Sequence, residues 1–98
     1  MQFASFIWDH GNWPKCAKHG VAREEIEFVL KSTPQVIRDK SAISGEARFN
    51  AIGRNAKGRY LFIVFKFVAL GNENCVRAIS ARYMHAKEVK RYEARKDP

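Results

Sequence analysis

The stretch RYLFIVFKFVA, residues 59–69, is the strongest strand signal in this chain. Both faces of the strand it predicts are apolar as far as Phe65, a pattern typical of strands that are covered on both sides. We therefore expect this segment to form the centre of a β-sheet, and the neighbouring elements are placed outward from it.

Turn-rich tetrapeptides on either side of this strand indicate antiparallel neighbours. NAKG at 55–58 and GNEN at 71–74 both have turn composition. The segments beyond them, 46–54 and 75–82, are the predicted partner strands, and a shorter strand is expected at 35–39. Together these strands predict a small antiparallel meander.

Before the sheet, the sequence predicts a short strand and two helices. FASFIW at 3–8 is a candidate first strand. A helix is then expected from an Asn12 N-cap, with Pro14 in its first turn, to a stop at Gly20. A second helix is expected at 22–31, because its apolar residues have helical spacing. Its stripe consists of Ile26, Val29 and Leu30.

The last predicted element is a helix at 84–96, MHAKEVKRYEARK, with Met84, Val89 and Tyr92 on its buried side. Helices followed by a meander and a final helix predict a small α+β fold. A chain of 98 residues of which 46% are hydrophobic has enough for one core, so a single domain over 1–98 is expected.

The positive charge is concentrated in the second half of the chain. The net charge is +8; residues 1–49 contain seven basic and six acidic residues, whereas residues 50–98 contain eleven and four. This asymmetry indicates a polyanionic partner, which is a nucleic acid, an acidic protein or an anionic membrane.

The cysteines and the N-terminal residues indicate the cellular compartment. Cys16 and Cys75 are isolated and do not form a CxxC pattern. The first residues lack the basic region and cleavage site of a secretory signal. No apolar run reaches the roughly 18–20 residues that span a bilayer. We therefore expect a cytoplasmic protein with free thiols and no membrane association.

Arginines are placed along the predicted sheet. Alternation puts Arg48 and Arg54 on one face of strand 46–54, whereas Arg77 and Arg82 have opposite parity and share a face only if a β-bulge separates them. The first face carries Glu46, Arg48, Asn50, Ile52 and Arg54, and the other carries Ala47, Phe49 and Ala51. Such a row of arginines is suited to binding phosphate oxygens.

Each of these polar residues also has a purely structural interpretation. Arg48 on a solvated sheet face is free to pair with Glu46 or Asp39. Tyr83 can pack its ring and hydrogen-bond its hydroxyl, and His85 can simply lie at the start of a helix.

The segment KCAKHGV, 15–21, contains Lys18 and His19 and has two interpretations. These two residues alone do not decide between them. Gly20 after them is typical of a helix end, where cations complement the helix dipole. The same lysine and histidine are suited to binding phosphate and transferring protons.

A series of short motifs resembles the BrnT family of toxins and spans nearly the whole chain. The matching motifs are WD at 8–9, KHGV at 18–21, REEIE at 23–27, Asp39, GEARF at 45–49, IGR at 52–54, GRYLFIVF at 58–65, AISARYMHAKE at 78–88 and RYE at 91–93. The chain also resembles a subgroup with GNWPKC in its first helix. Lys15 stands where the usual family pattern has an asparagine, which puts any role of that asparagine in doubt here.

The resemblance implies the toxin half of a type II toxin–antitoxin pair. Proteins of this family resemble RelE-type ribonucleases in fold, with a small antiparallel sheet and packed helices. They cleave RNA without a metal and arrest growth. The implied partner is a BrnA-like antitoxin that wraps the toxin and carries a DNA-binding domain, so that operator DNA is reached only through the complex.

Metal-free RNA cleavage needs a base for the 2′-OH, cations for the phosphorane charge and an acid for the leaving 5′-oxygen. On the resemblance, we expect His19 to transfer a proton, Lys18 and Arg48 to bind phosphate, and Arg82 to stabilise the phosphorane. Further candidates for RNA binding or catalysis are Arg54, Arg77, Tyr83 and His85. The three histidines lack the spacing of metal ligands, so no metal or other cofactor is expected.

Two other functions account for the same residues. A basic nucleic-acid-binding module without catalysis explains the charged second half equally well. A toxin-like fold that only pairs with an antitoxin is the other alternative. The first would bind nucleic acid with a steep dependence on salt and leave RNA intact.

Overall fold

The computed structural model describes residues 2–40 and 46–96, so Gly45 of the GEARF motif lies outside the described residues. The fold is α+β, as expected, and the described residues form a five-stranded sheet and two α-helices. The elements are β1 (Phe6–Ile7), a 3₁₀ helix (Lys15–His19), α1 (Arg23–Lys31), β2 (Gln35–Arg38), β3 (Phe49–Arg54), β4 (Tyr60–Leu70), β5 (Glu73–Tyr83) and α2 (Ala86–Lys96).

The strands are arranged in the order β1-β5-β4-β3-β2, with β4 in the centre as predicted. Strands β2 to β5 pair antiparallel in chain order. Strand β1 instead pairs parallel to β5, with Phe6 opposite Val76 and Ile7 opposite Arg77. The sheet is therefore mixed, and the expectation of a purely antiparallel sheet is wrong at this edge. A two-residue strand has no alternation from which its partner or direction can be read.

One face of the sheet, which we call the covered face, packs against α1. Ile26, Val29 and Leu30 are buried, as their helical spacing predicts, and form one core with the inward residues of β3 and β4. Gly53 marks the closest approach, because a Cβ there would lie 2.8 Å from Val29 Cγ1 and 3.2 Å from Pro34 Cβ. Glycine at this position lets the helix and its following turn lie directly on β3.

The opposite face, which we call the open face, carries both Arg77 and Arg82, because a β-bulge lies between them in β5. Val64 lies opposite Ser80 but the next residue, Phe65, lies opposite Ala78, so Ile79 is the extra residue. The extra residue reverses the parity of β5 beyond it. Arg82 and Arg77 thus lie opposite Phe62 and Lys66, which are both on the open face.

The first helix differs from its prediction in type and in start. It is a 3₁₀ helix that Pro14 precedes, and no side chain caps it. Asn12 is instead 2% exposed and donates through Nδ2 to the carbonyls of Ile7 (2.8 Å) and Ala78 (3.1 Å). Strand β1 ends at Ile7, so the side chain takes over the hydrogen bond that a longer strand would make. Gly20 ends the helix as predicted, with φ 83°.

Helix α2 begins two residues later than predicted, because β5 extends to Tyr83. The backbone N–H of Val89 bonds to the carbonyl of His85 (3.0 Å), and the N–H of His85 bonds to Glu88 Oε1 (2.9 Å). Met84 is buried before the helix, whereas Val89 and Tyr92 are half-buried within it. Within residues 2–40 and 46–96, no helix is both long and apolar enough to cross a bilayer.

Candidate functional site

Four of the predicted site residues share the open face, and each is held by a carboxylate of the chain. The pairs are Arg48 with Glu46 at 3.4 Å, Arg54 with Glu93 at 3.0 Å, Arg77 with Asp9 at 2.6 and 2.9 Å, and Arg82 with Glu88 at 2.8 and 2.9 Å. The structural interpretation of the sequence allowed Arg48 to pair with Glu46 or Asp39, and Glu46 is its partner here. The open face therefore carries an ordered array of cations, and carboxylates of the same chain partly balance their charge.

Arg82 is the most firmly held member of this array. Both of its terminal nitrogens bond to Glu88, and its guanidinium lies 4.8 Å from the centre of the Phe62 ring. The hydrogen bonds from Arg82 lower the pKa of Glu88 from 4.5 to about 2 and raise that of Arg82. An arginine has five N–H donors, so a two-point pair with one carboxylate leaves others for a phosphate.

Arg77 forms the second two-point pair, at the β1 edge of the sheet. Its hydrogen bonds to Asp9 lower the pKa of that carboxyl from 3.8 to about 2. A Cβ at Gly11 would lie 2.6 Å from Arg77 Nη2, so the glycine leaves room for the guanidinium. Asp9 of the WD motif therefore anchors an arginine of the open face.

The pair of Arg48 is looser and is shared with a lysine. Glu46 accepts from Arg48 and also from Lys66 Nζ, and the lysine is the larger cause of the lowered pKa of Glu46. Asn50 lies on the same face between β2 and β4, opposite Ile37 and Val64. Its Oδ1 is buried and has no hydrogen-bond partner within the part of the chain that the structure describes.

Arg54 joins the sheet to α2. It donates to Tyr60 Oη (2.9 Å) and to Glu93 Oε2 (3.0 Å), and its guanidinium lies 4.7 Å from the Tyr60 ring centre. The hydrogen bond to Tyr60 is the first cause of its raised pKa. Tyr92 of α2 packs edge-on against Tyr60, with ring centres 5.6 Å apart. Arg54 therefore fixes the position of the C-terminal helix.

Tyr83 lies on the covered face, away from its neighbour Arg82. Its hydroxyl donates to Glu25 of α1, at 2.7 and 2.9 Å from the two carboxylate oxygens. Arg59 lies over the Tyr83 ring at 3.7 Å. The hydrogen bond to Glu25 is the main cause of the raised pKa of Tyr83. Arg82 and Tyr83 are adjacent in a strand, so they point to opposite faces.

Glu25 is the centre of this second polar cluster. Besides Tyr83, it accepts from Asn55 Nδ2 (2.7 Å) and from the backbone N–H of Ala22 (3.0 Å). Burial opposes its ionisation, but the three donors outweigh burial and lower its pKa. The cluster ties the start of α1 to the β3–β4 turn and to the end of β5.

Lys18 and His19 end the 3₁₀ helix and are exposed. Neither makes a side-chain hydrogen bond or ion pair with any residue that the structure describes. Cys16 of the same helix belongs to the core beneath α1, so this helix lies on the covered side of β5. The structure therefore brings the open-face arginines together but leaves Lys18 and His19 apart from Arg48 and Arg82.

The remaining candidate residue is His85, and the remaining candidate feature is a metal site. The His85 side chain is exposed just before α2, and only its backbone N–H contacts Glu88. Among residues 2–40 and 46–96, no group of three His, Cys, Asp or Glu side chains is placed to hold a metal ion. Cys16 and Cys75 are both buried free thiols.

A known protein family matches most of this chain. A family model described as the ribonuclease toxin BrnT of type II toxin–antitoxin systems matches residues 8–88. The chain belongs to the BrnT family. Membership gives it the family's activity, that of a ribonuclease toxin, and an antitoxin as its partner. The search of curated proteins returned no match.

Several residues of this BrnT-family chain that hold the site together were not predicted from its sequence. Asp9 and Glu88 fix two of the arginines, and Glu25 fixes Tyr83. The contact of Glu88 with the start of α2 could have been predicted, because Glu88 lies three residues after His85, the residue that precedes the helix. The other contacts join residues more than twenty positions apart, and no local pattern indicates them.

Proposed function

We propose that this chain is a metal-independent endoribonuclease of RelE-like type, which arrests growth and is neutralised by a BrnA-like antitoxin. Membership of the BrnT family is the observation that carries the proposal. The proposed complex with the antitoxin contacts operator DNA, whereas the toxin alone contacts RNA.

The open face supports the RNA-binding part of this proposal. Four arginines and Lys66 lie on one face of β3, β4 and β5. Guanidinium groups that are already positioned stabilise the charge of a phosphorane without reorganising during the reaction. Arg82 is proposed to do this, because it retains free donors, whereas Arg48, whose ion pair is loose, is proposed to bind the phosphate.

The reaction has three steps in this proposal. A base removes the proton of the 2′-OH, the 2′-oxygen bonds to phosphorus, and the bond from phosphorus to the 5′-oxygen breaks as an acid protonates that oxygen. His19 is proposed for proton transfer and Lys18 for phosphate binding. Beyond Ala78, the outer side of β5 has no described strand partner, so an RNA strand that crosses this edge can contact both sides.

The proposal is tested by incubating the purified chain with RNA in excess EDTA, alone and with translating ribosomes. We expect cleavage in EDTA, and we expect Arg48→Ala and Arg82→Ala to slow it at least about 100-fold. Arg38→Ala is the matched control, because Arg38 is an exposed arginine on the other face of the edge strand β2.

Three outcomes would contradict parts of the proposal. Cleavage that stops in EDTA and returns with magnesium would exclude the metal-independent mechanism. RNA binding without cleavage in every condition would favour the basic binding module. An antitoxin that binds while cleavage continues at the full rate would exclude neutralisation by covering the site.

A further inference from the structure

A groove of about 680 Å³ runs between α2 and the open face, at the end of the sheet formed by β2. Its lining includes an apolar patch of Ile37, Ile52, Phe62 and Met84, which we call its floor, beside the polar side chains of Thr33 and Gln35. Ile37 is 49% exposed, although it is a large aliphatic side chain on an edge strand. An exposed aliphatic residue in a groove with an apolar floor indicates a surface that another chain covers.

The rim of this groove, which we call the α2 groove, is positive. Arg91 and Arg95 line it from α2, and neither forms an ion pair with a described carboxylate. The one acidic residue in the lining, Glu88, is already paired with Arg82. Among residues 2–40 and 46–96, no carboxylate therefore balances the charge of Arg91 and Arg95, and an occupant with carboxylates beside its apolar side chains would complement the rim.

The aromatic side chains of the groove argue for a protein occupant rather than RNA. Nucleic acids bind such surfaces by stacking bases on free aromatic faces. Here Arg82 covers the Phe62 ring at 4.8 Å, and the Tyr92 ring packs against Tyr60. The other apolar side chains of the lining, those of Pro34, Ile37, Ile52 and Met84, are not aromatic and suit the side chains of a peptide segment.

The walls of the groove are held in place without a partner. Two ion pairs, Arg82 with Glu88 and Arg54 with Glu93, attach α2 to β5 and β3. A groove that is already formed loses little free energy in ordering when it binds. We propose that the α2 groove docks a segment of the antitoxin whose apolar side chains are flanked by Asp or Glu.

This inference rests on the proposed function only in taking the partner to be the antitoxin. The probe is the purified cognate antitoxin, titrated against the full toxin chain. In Ile37→Asp, a carboxylate enters the apolar floor, and we expect the affinity to fall roughly thirty-fold or more. The matched control is Leu70→Asp, because Leu70 is 55% exposed at the far end of β4.

A second variant tests the positive charge of the rim without changing the apolar floor of the groove. In Arg91→Glu with Arg95→Glu, we expect the association rate to fall about tenfold at low salt and the difference to shrink at high salt. Lys15→Glu with Lys57→Glu makes the same change in net charge at two exposed positions outside the groove. Both groove variants should retain the circular dichroism spectrum and the RNA cleavage rate of the wild type.

The outcomes separate this inference from the proposed function. If the antitoxin binds both groove variants as tightly as it binds the wild type, the inference is wrong while ribonuclease activity still stands. If the groove variants lose the antitoxin but the wild-type chain never cleaves RNA, the groove is supported and the ribonuclease proposal fails. Loss of RNA binding with unchanged antitoxin affinity would make the groove an RNA surface, and no binding of the antitoxin to the wild type would overturn the inference.

Discussion

Arg82 at the end of β5 and Glu88 in the first turn of α2 are joined at two points, with Nη1–Oε1 and Nη2–Oε2 distances of 2.8 and 2.9 Å. The same carboxylate accepts the backbone N–H of His85, which immediately precedes α2. One side chain therefore positions an arginine of the open face and also completes the start of the C-terminal helix.

The first prediction concerns the acid stability of this pair. The pKa of Glu88 is about 2 in the folded chain against an ordinary 4.5, so its contribution to stability is present above pH 4.5 and is lost as pH falls towards 2. Glu88→Gln should lower Tm by about 3–6 °C at pH 7. The difference from wild type should vanish near pH 2. Thermal melts from pH 2 to 7 measure it, with Glu73→Gln as the control for loss of a surface carboxylate.

The second prediction separates activity from stability at two arginines. Arg48 makes one long ion-pair contact, so Arg48→Ala should change the free energy of unfolding by less than about 0.5 kcal/mol. Arg82→Ala should cost about 1–2 kcal/mol, because it also removes the contact with Phe62. Both should slow cleavage at least about 100-fold. Denaturant titration and single-turnover assays test this, and parallel losses of stability and activity would make both arginines structural.

The third prediction concerns His19 and Lys18. If His19 transfers a proton, His19→Asn should abolish cleavage while the fold survives, because asparagine is tolerated at helix ends. Lys18→Gln should weaken RNA binding and reduce its salt dependence. Wild-type activity in both variants would leave the pair as a helix terminus and move the search to Arg77, Arg82, Tyr83 and His85.

The fourth prediction assigns Tyr83 a structural role. Its hydroxyl proton is directed at Glu25, so Tyr83→Phe removes a hydrogen bond to a charged group. We expect a loss of about 1–2 kcal/mol in the free energy of unfolding and a cleavage rate within about threefold of wild type. Chemical denaturation and RNA cleavage measure the two effects. A variant of normal stability that has lost its activity would instead make Tyr83 a catalytic residue.

The fifth prediction tests the contact between α1 and β3. Gly53→Ala places a methyl group against Val29 Cγ1, which belongs to a stiff β-branched side chain, and should cost about 1–3 kcal/mol. The substitution should cost less in a Val29→Ala background, where the clashing atom is gone. A double-mutant cycle by denaturant titration measures the coupling. Equal costs in the two backgrounds would mean that Val29 is not the obstacle.

Much of the fold could be predicted because its signals are local. The apolar run of β4, the turn at 55–58 and the stripe of α1 each lie within a dozen residues and are found where their patterns predict, whereas the turn expected at 71–74 is shorter because β5 begins at Glu73. The first strand was expected at 3–8, but only Phe6–Ile7 forms a strand. The first helix was expected to have an Asn12 cap, but this side chain bonds to Ala78 instead. Tertiary hydrogen bonds override local preferences when they satisfy buried backbone groups.

The sequence by itself determined which segments are helical and which are strands, the central place of β4, the charge of the second half and the motif order of the BrnT family. Only the tertiary structure decided which polar residues meet. The bulge at Ile79 put Arg77 and Arg82 on one face, and strand alternation separated Arg82 from Tyr83. The physical reason is that local periodicity sets the conformation of a segment, whereas faces, registers and ion pairs depend on which distant segment packs beside it.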